Sequence, residues 1–452
     1  MKRRIYAVAV LVLVSCMVFG LSLAQAGPAK QMAGGEITFA EAVDSSLQEF
    51  VSADKLGSVK RQQLVGNIYE YTLILKVGDG EFDKIGIHRV VEEKSPGIPI
   101  KTKRAVMLLH GDSCNFTNAF MASTANQSFG IYLAEQGIDV WGIDLRWNSV
   151  PDTTTDFSFM EDWDTALHLK DIKLAVKLAR TVRGLTGSDD GRIFMLGHSR
   201  GAQFLYAYAD EESQLPDKQR DLKGIIPVDM VYKFSPDQGD LKQAALVRYQ
   251  AYKSLYDSGV YNDDEAKNMK IIASLAQSAP EGPSPVIPGF TNMQAAQFVL
   301  TATYATYQAP LQPPVPFYHY LGGTFDENEL PVGLQFATQS NIIDNAFAAP
   351  NFQSLGEIID GEAIMSENIE NPYDDHLGDI KIPVYYIGAA GGFGQYGAYI
   401  LELLGSADKN SLIVQVYPPE AAALDYGHAD LFWADNAKGL VWEPICNWIE
   451  SH

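Results

Sequence analysis

Ser199 stands in the run Gly197-His198-Ser199-Arg200-Gly201, directly after the apolar stretch Ile193-Phe194-Met195-Leu196 and before a segment of helical periodicity. A serine on a sharp turn between strand and helix has its hydroxyl raised above the sheet, and glycines two residues to either side remove the Cβ atoms that such a turn would crowd. The pentapeptide alone recurs by chance; its place between strand and helix gives it weight. Ser199 is therefore the candidate nucleophile of an acyl-transfer reaction. The bland alternative is an ordinary tight turn carrying a surface serine.

A serine hydroxyl is a weak nucleophile at neutral pH and needs a base within hydrogen-bond reach. Of the eight histidines, His428 is the one placed for that work, in Asp425-Tyr426-Gly427-His428-Ala429-Asp430 between the last expected strand and the C-terminal helix. A loop there lies on the same carboxyl edge of a parallel sheet as Ser199. His198 belongs to the turn itself and is expected to point inward, and His168, His319 and His376 have no companion signal. Attack on a carbonyl also develops an oxyanion that needs fixed donors. The expected donors are two backbone N–H groups, that of Arg200 and that of Asp112 in His110-Gly111-Asp112. A carboxylate beside an oxyanion is unfavourable, so the Asp112 side chain must turn away or pair with a cation such as Arg200.

The imidazole needs an acid to orient it. The strand 382–390 runs into Gly388-Ala389-Ala390-Gly391-Gly392-Phe393-Gly394, with no carboxylate before Glu402. Asp229, at the end of GIIPVDM (224–230), is the preferred candidate, since from there a side chain could reach the far ring nitrogen of His428. Asp425 and Asp430 are the alternatives, and Asp229 as a simple helix cap is the bland one.

These residues need a scaffold. Strands are expected at Tyr69–Val77 and Lys84–Val91, joined through Gly78-Asp79-Gly80 as a hairpin. Beyond Lys103, apolar strands alternate with helical periodicity: AVMLLHGD (105–112), a helix near 116–136, GIDVWGIDL (137–145), a helix near 163–186, GRIFMLGHS (191–199), a helix 201–210 and GIIPVDM (224–230). Such alternation predicts an α/β fold with a mostly parallel sheet flanked by helices. It stops at Val231, where helical stretches broken by Pro-rich and aromatic loops such as APLQPPVPFYHY (309–320) run to Asp379. Strands then return at IPVYYIGAA (382–390) and SLIVQVYP (411–418), followed by a helix from about 431 to 450. The expected organisation is a core at 59–230 and 380–452, with a cap-like helical insertion at 231–379.

The chain has 452 residues, 46% of them hydrophobic, and a net charge of −22, numbers of a globular protein rather than a disordered tail or a row of membrane spans. Lys2-Arg3-Arg4, an apolar run from Ile5 to about Leu23 and Ala24-Gln25-Ala26 have the layout of a cleavable export leader over residues 1–26. A single membrane anchor, or a lipoprotein attached through Cys16, are the alternatives. A lead-in with one short helix around 39–51 fills residues 27–58. Cleavage would remove three of the 34 basic residues and leave 31 against 56 acidic ones, a net of −25. That surface repels nucleic acid and anionic membranes and is explained most simply by solubility. Cys114 and Cys446 would remain, too few for a disulfide scaffold.

On these residues the chain resembles the α/β-hydrolase superfamily from about residue 60 to 452, the insertion excepted. Several stretches look like acid lipases and related esterases: LLHGDSCNFTNAF (108–120) is similar to their oxyanion segment, YLAEQGIDVWGIDLRW (132–147) to a strand ending in Asp-Val-Trp, DFSFMEDWDTALHLKDIKLAV (156–176) to a Phe-Ser-Phe pattern, and GHADLFWADNA (427–437) to a His-x-Asp segment. The order of these motifs carries more than any one of them. The missing late acid departs from the lipase pattern, and an acid at Asp229 is instead similar to some haloalkane dehalogenases, whose nucleophile is Asp where this chain has Ser199.

The resemblance implies an enzyme, exported by the expected leader, that cleaves carboxylic esters with Ser199, His428 and Asp229, without cofactor or metal, on a small-molecule or lipid-like substrate. Amides, lactones, polyesters or transfer to another acceptor suit the same machinery, and a binding protein on the same fold is the rival of another class. Within the insertion Phe290, Phe298, Tyr304, Tyr307, Phe317, Tyr318 and Tyr320 are expected either to line a cleft over Ser199, which suits hydrophobic substrate groups, or to form the insertion's own core. The acidic runs Asn262-Asp263-Asp264-Glu265 and Asp374-Asp375-His376 are taken as solvated faces, the acceptor patterns at Asn115 and Asn126 are discounted, and a Cys114–Cys446 bridge is not expected.

Overall fold

The computed structural model describes residues 59–452 apart from 122–126, 190 and 329. The leader 1–26, Cys16, the lead-in 27–58 and Asn126 lie outside the described residues.

One ten-stranded sheet organises the chain. Its continuous path consists of β1 (Lys60–Val65), β2 (Ile68–Lys76), β3 (Lys84–Ser95), β4 (Ala105–Leu109), β5 (Asp139–Asp144), β6 (Ile193–His198), β7 (Leu222–Val228), β8 (Val384–Ala389) and β9 (Lys409–Val414), and the short strand Ile98–Pro99 adds to β3. The spatial order is β1-β2-β3-β5-β4-β6-β7-β8-β9. From β5 to β9 all neighbours are parallel; β1, β2 and β3 form an antiparallel edge, with β3 antiparallel to β5.

Strand residues point alternately to the two faces, and each face has its own core. Met107 and Leu109 of β4 face a core shared with Leu169 and Ala175 of the helix Thr165–Leu185 and with Phe204 of the helix Arg200–Ser213. Val106 and Leu108 face the other, shared with Phe129 and Leu133 of the helix Phe129–Glu135 and with Trp442 and Ile445 near the C-terminus. Burial on both faces explains why these strands read as unbroken apolar runs rather than alternating ones. A charge triad crosses the sheet edge: Asp139 accepts from Arg89 Nε and Nη2 at 2.9 and 2.8 Å and from Arg183 Nη1 at 2.9 Å, with all three side chains buried. Each guanidinium thus meets the carboxylate, although the three side chains together keep one net positive charge.

The stretch between β7 and β8 is mainly helical, with helices at Gly239–Asp257, Glu265–Ser278, Asn292–Thr301, Gln339–Ala348 and Gly356–Ser366. Two small antiparallel sheets also occur there, Asn262–Asp263 with Gln353–Ser354 and Gly323–Phe325 with Pro331–Leu334. Among the described residues no helix is long and apolar enough to cross a membrane.

Several expected boundaries move. The single helix near 116–136 is two helices, Phe116–Phe120 and Phe129–Glu135. Each has its own N-cap: Asn115 and Asn118 form a capping box, and Ser128 accepts from the N–H of Ile131 at 3.3 Å. The C-terminal helix expected at 431–450 breaks into Asp430–Trp433, a π turn at Lys438–Trp442 and Glu443–Ser451; Ala434 is extended and Pro444 sits in the first turn of the last helix. The last strand begins and ends earlier than 411–418, at Lys409–Val414. The edge strand β1 was not expected, because its KRQQLV has one apolar pair among polar residues. Cys114 and Cys446 are both free thiols.

Candidate active site

Ser199 follows β6 with φ 56° and ψ −128°, a left-handed backbone that costs a non-glycine residue about 1–3 kcal/mol. The turn is held from both sides, since the Ser199 N–H donates to Val228 O at 2.9 Å and the Ala202 N–H donates to Ser199 O at 2.8 Å. Its glycines are obligatory by contact. A Cβ on Gly197 would stand 2.1 Å from Gly201 O, and one on Gly201 would stand 2.2 Å from Leu109 O. Gly111 brings the end of β4 equally close, its would-be Cβ lying 2.5 Å from Ser199 Cβ and 3.1 Å from Oγ. The backbone entering Asp112 thus passes against the serine. Arg200 opens the helix Arg200–Ser213, so its N–H has no acceptor within the helix.

The Asp112 carboxylate pairs with a cation, the second of its two expected outcomes. Arg200 donates from Nε to Oδ1 and from Nη2 to Oδ2, each at 3.1 Å. Gln353 holds the same loop, donating to Asp112 Oδ1 and accepting from the Ser113 N–H at 2.8 Å. Nothing around Gln353 in the sequence signals this contact, which joins residues 241 apart.

His428 and Asp229 are in contact although 199 residues apart: Nδ1 lies 2.7 Å from Oδ2. An ionised carboxylate only accepts, so in that state Nδ1 carries the proton and Nε2 is free to accept one. Asp229 is fully buried and stands one residue beyond β7, not within it, with φ 47°. Its carboxylate also accepts three backbone N–H bonds, from Ala389 at 2.8 Å, Gly394 at 2.9 Å and Phe393 at 3.1 Å. The glycine run that lacked an acid is therefore the cradle of one. A Cβ on Gly392 would fall 2.0 Å from Asp229 Oδ2, so only a bare backbone wraps the carboxylate this closely. A glycine-rich turn with no side chain to offer was the available sequence signal.

Asp425 and Asp430, the alternative acids, are occupied elsewhere. Asp425 accepts from the N–H groups of Val416, Tyr417 and Tyr426, and Asp430 from those of Gly322 and Gly427. Neither bonds the His428 ring. His198 is buried as expected, stacked on His428 with ring centroids 4.5 Å apart, and its Nε2–H donates to His428 O at 3.1 Å. Burial, and then the neighbouring imidazole, hold His198 well below the ordinary histidine range, so it stays neutral. His319 supports the loop through Phe317 O and Asp425 O, while His168 is buried against Glu357 and Ser354.

Ser199 and His428 line one cleft, with no hydrogen bond between their side chains. Tyr318, Tyr320 and Phe393 surround the imidazole at centroid distances of 5.5, 6.0 and 5.7 Å. Apolar lining comes from Met230, Ile358, Met365 and Trp433. Of the seven aromatic residues expected to line or to pack, Tyr307, Tyr318 and Tyr320 line the cleft, whereas Phe290 packs on Phe298 and Tyr304 on Phe317. Asp263 and Glu265 belong to the cleft lining beside Arg248 and Glu362, with Asp263 half-buried and Glu265 exposed, so the acidic face expected there opens onto the cleft. A charge run has no periodicity that tells inward from outward, and Asp263 is turned in by its strand pairing with Gln353. Asp374 is tied to Lys233 as an ion pair.

No protein-family model matches the chain, and no curated protein does. Among solved structures it is similar to a candidate lipase of Sulfolobus solfataricus, at 17% identity over 87% of this chain and 99% of the other, with a TM-score of 0.57. A soluble variant of a monoglyceride lipase of Saccharomyces cerevisiae aligns at 14% identity over 88% and 96%, with a TM-score of 0.46. An esterase of Thermogutta terrifontis aligns at 13% over 84% and 98%, with a TM-score of 0.39. The first likeness shows the fold; the other two are too distant to add to it.

Proposed function

Because the chain has the α/β-hydrolase fold, we propose that it is an exported serine hydrolase that cleaves carboxylic esters through an acyl-enzyme on Ser199. The observation that carries this reading is the 2.7 Å contact of His428 Nδ1 with buried Asp229, in one cleft with a serine on a strained turn. Ser199 Oγ attacks the ester carbonyl carbon and its proton passes to His428 Nε2. Asp229, held by three amides, fixes the ring and stabilises the imidazolium. The backbone N–H groups of Asp112 and Arg200 bind the oxyanion, and the Arg200–Asp112 pair keeps the Asp112 charge turned to a guanidinium. Collapse expels the alcohol, which takes the proton from His428, and water repeats the sequence on the acyl-enzyme.

The missing Ser199–His428 hydrogen bond is compatible with this chemistry, since such bonds are often long before substrate binds and tighten in the complex. Residues 231–379 act as the cap, contributing Arg248, Tyr307, Tyr318 and Glu362 to the cleft, and the apolar part of the lining suits hydrophobic acyl or alcohol groups. Export rests on the leader in the sequence.

Nitrophenyl esters of increasing acyl length test the reading. The expected result is a burst of nitrophenol equal to the enzyme concentration, then slower turnover, the signature of an acyl-enzyme. A folded protein that hydrolyses none of the panel contradicts it.

A further inference from the structure

The cleft over Ser199 contains more charge than the proposed ester chemistry uses. Two of its ion pairs close on themselves: Arg200 with Asp112, and Arg248 with Glu362, where Nε donates to Oε1 at 2.8 Å. Asp263 and Glu265 are left over. Among the described residues no lysine, arginine or histidine forms an ion pair with either. Among the described residues Asp263 accepts only the N–H of Glu265, at 2.8 Å, and Glu265 only the hydroxyl of Tyr320, at 3.2 Å. The protein packed around the cleft holds both carboxyls above the ordinary range although Glu265 is exposed, and the Asp263 charge raises Glu265 further. Asp263 is half-buried and Glu265 exposed to the cleft, so both are accessible to a ligand, and two neighbouring acids without a counter-ion favour a cation between them.

A second observation points the same way. Glu362 is 6% exposed, and its Oε2 has no hydrogen-bond partner; beside it, Arg248 is 2% exposed with Nη2 likewise unpartnered. Both residues belong to the cleft lining. Buried polar atoms are nearly always satisfied, so the unpartnered Glu362 acceptor in the wall of the cleft is available to a ligand donor, whereas the Arg248 N–H calls for an acceptor. The aromatic lining suits the same occupant, since Tyr252, Tyr307, Tyr318 and Tyr320 border the cleft and aromatic ring faces attract cations.

Resting on the ester-hydrolase reading, we propose that the substrate carries an ammonium group, which Asp263 and Glu265 bind with a hydrogen bond to Glu362 Oε2, while the apolar lining takes the chain between it and the scissile carbonyl. Tyr320 sets the spacing. Its ring lies 6.0 Å from the His428 ring and its hydroxyl meets Glu265, so one tyrosine links that acid to the imidazole. The ammonium is thus several bonds removed from the carbonyl. These acids are specificity residues that bind substrate away from the reacting atoms.

Two pairs of esters that differ by one atom test the proposal: nitrophenyl 6-aminohexanoate against nitrophenyl heptanoate, and 6-aminohexyl acetate against heptyl acetate. In each pair an ammonium replaces a methyl group. The expected result is a kcat/KM ratio of about ten- to a hundredfold in favour of the charged member of at least one pair, the size of a hydrogen bond to a charged group. In Asp263→Asn/Glu265→Gln that ratio falls toward one. Hexylammonium binding, measured by calorimetry, supplies a readout independent of turnover, and saturable binding is expected in the native protein. Equal rates within both pairs, or no hexylammonium binding, overturn the proposal even if the double variant does not fold. Hydrolysis of neutral esters without preference sinks the ammonium site alone; binding of hexylammonium without hydrolysis of any ester sinks the hydrolase reading and leaves the site standing.

Discussion

Ser199→Ala is expected to lower kcat on a nitrophenyl ester by about a million-fold, with the fold intact. In the proposed mechanism Oγ forms the bond to the acyl carbon, and no neighbouring group can replace it. Asp112 is turned to Arg200, and Cys114 lines the cleft with its thiol pushed up to about 12 by burial, which leaves almost no thiolate at neutral pH. The alanine side chain is smaller than serine and the turn is fixed by backbone contacts at Gly197, Gly201 and Val228, so thermal unfolding should change little. A variant that retains a hundredth of the activity would place the nucleophile elsewhere.

Asp229→Asn is expected to lower kcat by about ten-thousand-fold. An asparagine oxygen could still accept the amides of Ala389 and Gly394, which preserves the cradle, but its NH2 would then face His428 Nδ1 and the Phe393 N–H. A donor facing Nδ1 favours the tautomer with its proton on Nε2, the nitrogen that must receive the serine proton. The imidazolium also loses its counter-charge. Steady-state kinetics on folded variants check this: Asp425→Asn and Asp430→Asn should retain kcat within about tenfold, since both carboxylates brace loop amides and neither touches the ring. If Asp229→Asn is near native and one of the others is not, the acid is misassigned.

The sequence made the scaffold legible where burial on both faces produced unbroken apolar runs, as in Ala105–Leu109 and Ile193–His198, and where helices separated them. It was less legible where a boundary depends on a cap. Asn115, Ser128 and Pro444 each set an end that periodicity alone runs through. The place of Asp229 could be inferred because the usual position was empty, but its cradle could not, since backbone amides are the same in every residue. Asp263 and Glu265 were hidden for a related reason: their neighbours come from Gln353 and Tyr320, which only the folded chain brings near. Long-range pairings within residues 231–379 thus decided the character of the cleft, and the sequence pattern there gave only helices and loops.

The central claim, that Ser199 is the nucleophile of this cleft, is tested most directly by reacting the native protein with a fluorophosphonate and measuring the mass of the intact chain and of its peptides. The account predicts one adduct per chain, on the peptide that contains Ser199, formed far more slowly in His428→Ala. A folded protein that takes up no adduct, or takes it on a residue other than Ser199, would contradict it.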